Sequence, residues 1–267
     1  MFFTDKMASV VENIGQVGID MGRAFHDTLS FAGRIVMRMF DIRTYNSATR
    51  VVLLNQIYFT AVQTLPLFLV GSILFGSLLI GVVFKIIMDL GLANYLGKVL
   101  VGLLVIELAP LITALLIALR SGSAINAEIA VMKVNREMRT LEAFNINVID
   151  YLFIPRIVNG IVSVALLSSL FSIVVVVSGL LFANIFFGMS AAVYAGTLLD
   201  SANSGDLILS IVKAATFGFF ITMIPIRSGF AATDELTSVP ITVLRGMVKV
   251  FIAILIIEVL SLLIRMI

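Results

Sequence analysis

The 267-residue chain has no cysteine and a single histidine. Disulfides, thiolate metal sites and cysteine nucleophiles are excluded, and so is a histidine-rich metal centre. Charge is also scarce, at 13 % of residues against about 25 % in a soluble domain. The basic residues are dispersed and the net charge is only +2, so nothing points to nucleic acid. The opening residues, MFFTDKMASVVENIG, lack a basic region followed by an apolar core and a small-residue cleavage site. No signal peptide or transit peptide is expected there. No nucleophile–base–acid set is visible: Ser121 and Ser123 have no histidine near them in sequence. The stretch from Gly91 to Lys98 superficially resembles a phosphate loop. It has one residue too many between its glycines, and Val99 stands where Ser or Thr would bind magnesium. Any ATP chemistry must therefore belong to another polypeptide.

What is abundant is apolar: 60 % of residues are hydrophobic. Uninterrupted apolar runs of roughly 18 residues or more are spanning-helix candidates. Five are expected, over residues 57–84, 99–119, 157–187, 207–225 and 241–264. The fold class is an all-α integral membrane protein, a single membrane body over residues 1–267 with no room for a separate catalytic domain. Residues 8–44 are different. Val10, Ile14, Val17, Met21 and Phe25 recur at three- and four-residue steps, and Glu12, Gln16, Asp20 and Arg23 fill the other side. That is an amphipathic helix lying in the membrane interface. His26 reads as a polar-face residue of it.

The chain turns on Glu107 to Arg156. Glu107 and Pro110 fall inside the second apolar run. A carboxylate deep in a span costs about 2.5–3.5 kcal/mol and faces a cavity or a partner as a rule. Pro110 removes a backbone donor, so an irregular, polar-lined point is expected there. Arg120-Ser121-Gly122-Ser123-Ala124 reads as a small-residue hinge. Residues 121–150 form a charged segment of one helix plus a return, with Ala127, Ala130, Val131, Val134, Met138 and Leu141 as its apolar stripe. That stripe fits a solvated amphipathic helix or one docking in a groove of a soluble partner. Ser72 with Gly76 and Ser77 with Gly81 let helices approach closely, within one subunit or beside a cavity or dimer axis. Glu258 is expected to bond to another helix, since Lys249 lies too far along its own helix to pair with it.

Lys and Arg number six in the N-terminal region and five from residue 120 to 156, but none in 188–206. By the positive-inside rule the N-terminus and the central charged segment are cytoplasmic.

The central stretch resembles the MlaE/YrbE permease family, the membrane subunits of Mce-system lipid ABC transporters. Glu107-Leu108 with Pro110 is similar to that family's Glu-Leu-x-Pro. Arg120-Ser121-Gly122-Ser123-Ala124 with Ala127-Glu128 is similar to its Arg-x-Gly-Ser-Ala…Ala-Glu signature. Met132, Glu142-Ala143 and Pro155-Arg156 also match. Two departures stand out. Ile106 occupies the place where many members have Arg, and Asp234-Glu235-Leu236-Thr237 replaces much of a glycine-rich loop.

The resemblance implies a homodimer of five-span subunits in a bacterial inner membrane. Two cytoplasmic ATPase subunits, which bind the ATP and magnesium, would sit beneath, and an Mce-domain protein on the outer side. The chain itself would hold no cofactor and would be no enzyme. The cargo would be phospholipids or other hydrophobic molecules moved between inner and outer membranes, which maintains outer-membrane lipid asymmetry. On this reading Phe75, Leu79, Val82, Leu103 and Glu107 line the lipid path. Arg120, Ser121, Gly122, Ala127, Glu128, Lys133, Glu137 and Glu142 couple to the ATPase. An ion-coupled secondary transporter, with Glu107, Lys213 and Glu258 as relay groups, is the alternative that the residues leave open.

Overall fold

A computed structural model of the chain describes residues 30–41, 44–233 and 235–266. The chain divides into two compact units, at Asn46 and Ser47. In the first, residues 30–39 form helix α1. Its end is tied down by Thr44 Oγ1 donating to Arg38 O at 3.1 Å and Tyr45 OH donating to Met39 O at 2.9 Å. Most of the expected interfacial helix, residues 8–29 with His26, lies outside the described residues.

In the second unit every described element is helical, and five helical runs are long and apolar enough to cross a membrane. Span 1 is Ser47–Asp89, built from α2 (Ser47–Ile57), a π-helical turn (Tyr58–Val62) and α3 (Leu65–Asp89). It starts earlier than Ile57, because Arg50, Asn55 and Gln56 interrupt the apolar run without interrupting the helix. Span 2 is Ala93–Val134. It contains α4 (Leu96–Val99), a π stretch (Leu100–Leu108), α5 (Ala109–Ile117), a π turn (Ala118–Gly122) and α6 (Ser123–Val134). The return holds α7 (Glu137–Ala143). Span 3, Ile149–Phe187, is a π turn followed by α8 (Ile154–Phe187), with Pro155 just past the junction of the two. After α9 (Ala191–Ser201), span 4 is α10 (Ser204–Phe230) and span 5 lies in α11 (Ser238–Met266). The α6–α7 return and residues 231–237 therefore share one end of the bundle. The 90–92 turn and α9 share the other.

Small residues set the helix crossings. A Cβ on Gly218 would strike Gly160 O, and one on Gly160 would come within 2.8 Å of Gly218 O, so α8 and α10 meet backbone to backbone. Gly76 faces Val175 and Gly81 faces Phe182, so these two members of the small-residue pairs pack α3 on α8 within the subunit. Gly97, from the loop-like glycine pattern, lies against Thr197 O and seats α4 on α9. Tyr194 anchors α9 by donating to Val176 O at 3.1 Å. Burial pushes its phenol up to about 12, so it stays a neutral donor at physiological pH. Phe171, Phe217, Ile221, Val250 and Ile254 lie among the buried residues of the core.

Candidate functional site

Polar side chains gather in two places. The first lies toward the α9 end and is built around Glu107. The π stretch Leu100–Leu108 ends with Ala109 N–H donating to Leu104 O, five residues back. The next carbonyl in that register, Val105 O, would take its proton from residue 110, and Pro110 has none. Ser210 Oγ donates to it instead at 3.4 Å and Ser172 Oγ at 3.5 Å, from α10 and α8. A break in the backbone ladder is thus met by two neighbouring helices, as irregular helix inside a membrane requires.

Glu107 on this stretch receives Lys213 Nζ at Oε2 and Arg265 Nη1 at Oε1, the latter at 3.0 Å. Lys213 Nζ also lies 2.8 Å from Glu258 Oε2, near enough to pair in charge though not aligned as a hydrogen bond. Arg265 Nη1 further donates to Gly102 O at 3.1 Å. A side chain at Gly102 would crowd that guanidinium. Side-chain exposure is 2 % for Lys213, 8 % for Glu107, 13 % for Glu258 and 31 % for Arg265. Two cations and two carboxylates from three spans cancel one another. That cancellation lets ionised groups persist at this depth. Among the described residues no group of three or more histidine, cysteine or acidic side chains could hold a metal.

The second place is the root of α6. The expected hinge is not a break: the helix passes through Ala118–Gly122 as a π turn and continues directly into α6. The reason is packing. A Cβ on Gly122 would come within 3.3 Å of Ile221 O, so small residues here admit a neighbouring helix rather than loosen their own. Arg120, exposed, donates to Thr64 Oγ1, which donates to Thr60 O at 2.6 Å. Asn159 Nδ2 donates to Thr60 Oγ1 at 2.9 Å, and Asn159 Oδ1 accepts from Ser163 Oγ at 2.8 Å. Arg156, 2 % exposed, reaches out to Glu128 Oε1 at 2.5 Å; Glu128 is 53 % exposed. The Nε and Nη1 groups of Arg156 find no partner among the described residues. Asn126 Nδ2 donates to Thr242 O and Val243 O, each at 3.4 Å, tying α6 to α11.

The residues expected to couple to an ATPase are spread over this root. Ser121 and Ala127 are half-buried, Gly122 is buried, and Glu128, Glu137 and Glu142 are exposed. Lys133 lies 4.8 Å from the centre of the Phe230 ring. Those expected to line a lipid path do not form one cluster. Phe75 faces an open apolar groove of about 600 Å³, with Leu67, Leu74, Leu116, Leu119 and Arg120. Val82 and Leu103 are exposed, Leu79 packs partly into the core, and Glu107 is inside the quartet. Sequence reasoning gave no role to Arg265, Asn126 or Asn159, and read Arg156 as the end of the central stretch and part of the family match, without a partner. An asparagine between small residues in an apolar helix was the available signal for Asn126.

An all-helical, five-span bundle with its charges cancelled internally and an exposed helical extension at one end has the build of a membrane permease. Comparison with known proteins gives the particular kind. The profile of the family described as Permease MlaE matches residues 53–264, and the chain belongs to that family. It is 28 % identical over 179 residues to the intermembrane phospholipid transport system permease protein MlaE of Haemophilus influenzae, covering 67 % of this chain and 69 % of that one. It is 28 % identical over 178 residues to a probable ABC transporter permease protein of Rickettsia typhi, again covering 67 % and 69 %. It is also 28 % identical over 211 residues to the chloroplastic protein TRIGALACTOSYLDIACYLGLYCEROL 1 of Arabidopsis thaliana, covering 76 % of this chain and 57 % of that one. The chain is a multi-pass membrane transport subunit.

Proposed function

We propose that this chain is the permease subunit of an ABC transporter that moves phospholipids or other hydrophobic molecules between the inner and outer membranes. It works as a homodimer in the bacterial inner membrane, with its N-terminus and the α6–α7 return in the cytoplasm. Two separate ATPase subunits bind ATP and magnesium and grip that return, and an Mce-domain protein receives cargo on the outer side. The carrying observation is the unbroken passage of span 2 into α6. Force applied to Glu128 or Lys133 reaches the span without an intervening loop, and Glu137 and Glu142 act on it through the Asn135–Arg136 turn.

Support for the dimer comes from unequal cover. In the most apolar 18-residue window of each span, 56 % of span 2 is buried, but only 28 % of span 1 and 17 % of span 5. Spans 1 and 5 have faces left for a second copy and a cargo path, and Phe75 and Val82 are exposed on span 1.

Charge reversal at Glu128 tests the reading. In the purified assembly, E128K is expected to lose the ATPase subunits, or to keep them while lipid transfer no longer follows ATP hydrolysis. Unchanged binding and unchanged transfer would remove α6 from the coupling path. The ion-coupled alternative draws on the Glu107–Lys213–Glu258 contacts and requires transfer that follows a proton gradient with no ATPase present.

A further inference from the structure

The open apolar groove of about 600 Å³ lies where α3 passes the end of α5, with Leu67, Leu74, Phe75 and Leu116 on its walls. Span 1 fixes its depth in the membrane. After Gln63 and Thr64 come residues 65–84, with no charged or amide side chain among them, and then Lys85. A helix of that length rises about 30 Å, the thickness of the hydrocarbon core. Thr64 therefore stands at one edge of the hydrocarbon and Lys85 at the other. From Thr64 to Phe75 the groove follows span 1 for roughly 16 Å. It is about one leaflet deep.

Arg120 closes the groove at the Thr64 edge. Its Nη1 donates to Thr64 Oγ1, so the guanidinium leans across to span 1 rather than along α6. Arg120 is exposed and makes no other hydrogen bond or ion pair with a described residue. It carries the charge of the groove; the other lining residues are apolar, apart from Thr64. A guanidinium is a planar fork of five N–H donors, and it matches a phosphate bidentately. A cation at headgroup level above one leaflet's depth of apolar wall complements a phospholipid, with phosphate at the edge and acyl chain inward. An apolar helix seated in the groove would cover the walls and leave the guanidinium without an anion.

We propose that this groove is a binding site for a phospholipid of the leaflet on the α6 side. The phosphate takes the Nε and Nη2 donors of Arg120, which Thr64 leaves free, and an acyl chain runs past Leu67 and Leu74 to Phe75. The recognised group is the phosphodiester, which zwitterionic and acidic phospholipids share, so the site takes both and disfavours a diacylglycerol. It is separate from the Glu107 quartet, and it rests on the permease reading only for naming that leaflet cytoplasmic.

The test uses the full chain, purified in detergent with the subunits that accompany it. It is given phosphatidylcholine with a diazirine at the tip of one acyl chain, or the diacylglycerol with the same chains. After illumination, labelled peptides are identified by mass spectrometry. Wild type is expected to carry the phosphatidylcholine label near Leu74 and Phe75, about tenfold above the diacylglycerol label there. A side chain at Gly71 meets no neighbouring atom, so G71L fills the groove without disturbing the packing. G71L should keep the wild-type melting temperature and lose about tenfold of the label. R120M should fall to the diacylglycerol level, with R120K between it and wild type. Equal labelling by both lipids in wild type, or undiminished labelling in G71L or R120M, would overturn the proposal. The chain has no cysteine, so L74C supplies a single thiol; efficient disulfide linking of two L74C copies would give the groove to a second copy and overturn it too. Labelling needs no ATP, so a preparation that carries the label but no ATPase would bring down the permease reading while upholding the site.

Discussion

The Glu107 quartet and the root of α6 are both built from charged side chains on crossing helices, yet they close differently. In the quartet each carboxylate meets a cation and each cation a carboxylate, and the most exposed member is Arg265 at its rim. At the α6 root a guanidinium that is almost fully buried is answered by one half-exposed carboxylate, and two of its nitrogen groups are unanswered. The first arrangement resists change, because removing any member strands another in a poor solvent. The second leaves part of its bonding capacity unused, and its one ionic tie reaches the surface, where a partner can touch it. One holds the spans together, and the other is open to outside influence.

This contrast can be broken most severely at Lys213. K213M strands Glu258 and leaves Glu107 to Arg265 alone, and the expected loss is about 3–5 kcal/mol. It would be read as a fall in the unfolding midpoint of the detergent-solubilised protein. The double change K213M/E258Q should recover most of that loss, because Glu107 keeps Arg265 and no uncompensated charge remains. If the single change is silent, the quartet is not what holds these spans together.

At the α6 root the largest structural effect is expected from G246A. Its Cβ would strike Asn126 Nδ2 and come within 2.7 Å of Ser228 Oγ. Overpacking of this kind costs about 1–3 kcal/mol, measurable by the same unfolding assay. The Arg156–Glu128 pair sharpens the comparison in the other direction. R156M/E128Q removes an ion pair with one half-exposed partner, worth about 1 kcal/mol or less. Stability should barely move, while ATP-driven lipid transfer falls severalfold; equal losses in both would erase the distinction between the two regions. S210A takes one of two hydroxyl donors from Val105 O and leaves Ser172 in place, so the unfolding midpoint should fall by no more than the equivalent of about 0.5 kcal/mol, the smallest of these effects.

Much of this was legible in the chain and some was not. A carboxylate or amine inside an apolar run is conspicuous, so Glu107, Lys213 and Glu258 announced themselves, and the expectation that Glu258 bonds to another helix agrees with its contact to Lys213. Arg265 did not, because a basic residue close to the last residues reads as an ordinary flank of a span. Its pairing with Glu107 requires knowing that α11 returns beside the π stretch. The irregular point at Pro110 was foreseen from the missing N–H, but not the two serines that answer it, which come from other spans. Arg120 to Ala124 misled for a definite reason. Small residues weaken a helix in water, whereas between membrane helices they admit a neighbour, and Gly122 faces Ile221. The family signature was readable throughout that stretch, and the family assignment from Glu107, Pro110, Arg120 and Glu128 agrees with the match over residues 53–264.

The uninterrupted helix from Ala93 to Val134 has 42 residues. It is therefore roughly 60 Å long, about twice the hydrocarbon thickness. A rod of that length amplifies rotation: rocking it by about 5° about one end sweeps the other through roughly 5 Å. Tilting it by about 5° about its α6 end carries Leu103 through roughly 4 Å, with no segment of the rod unfolding.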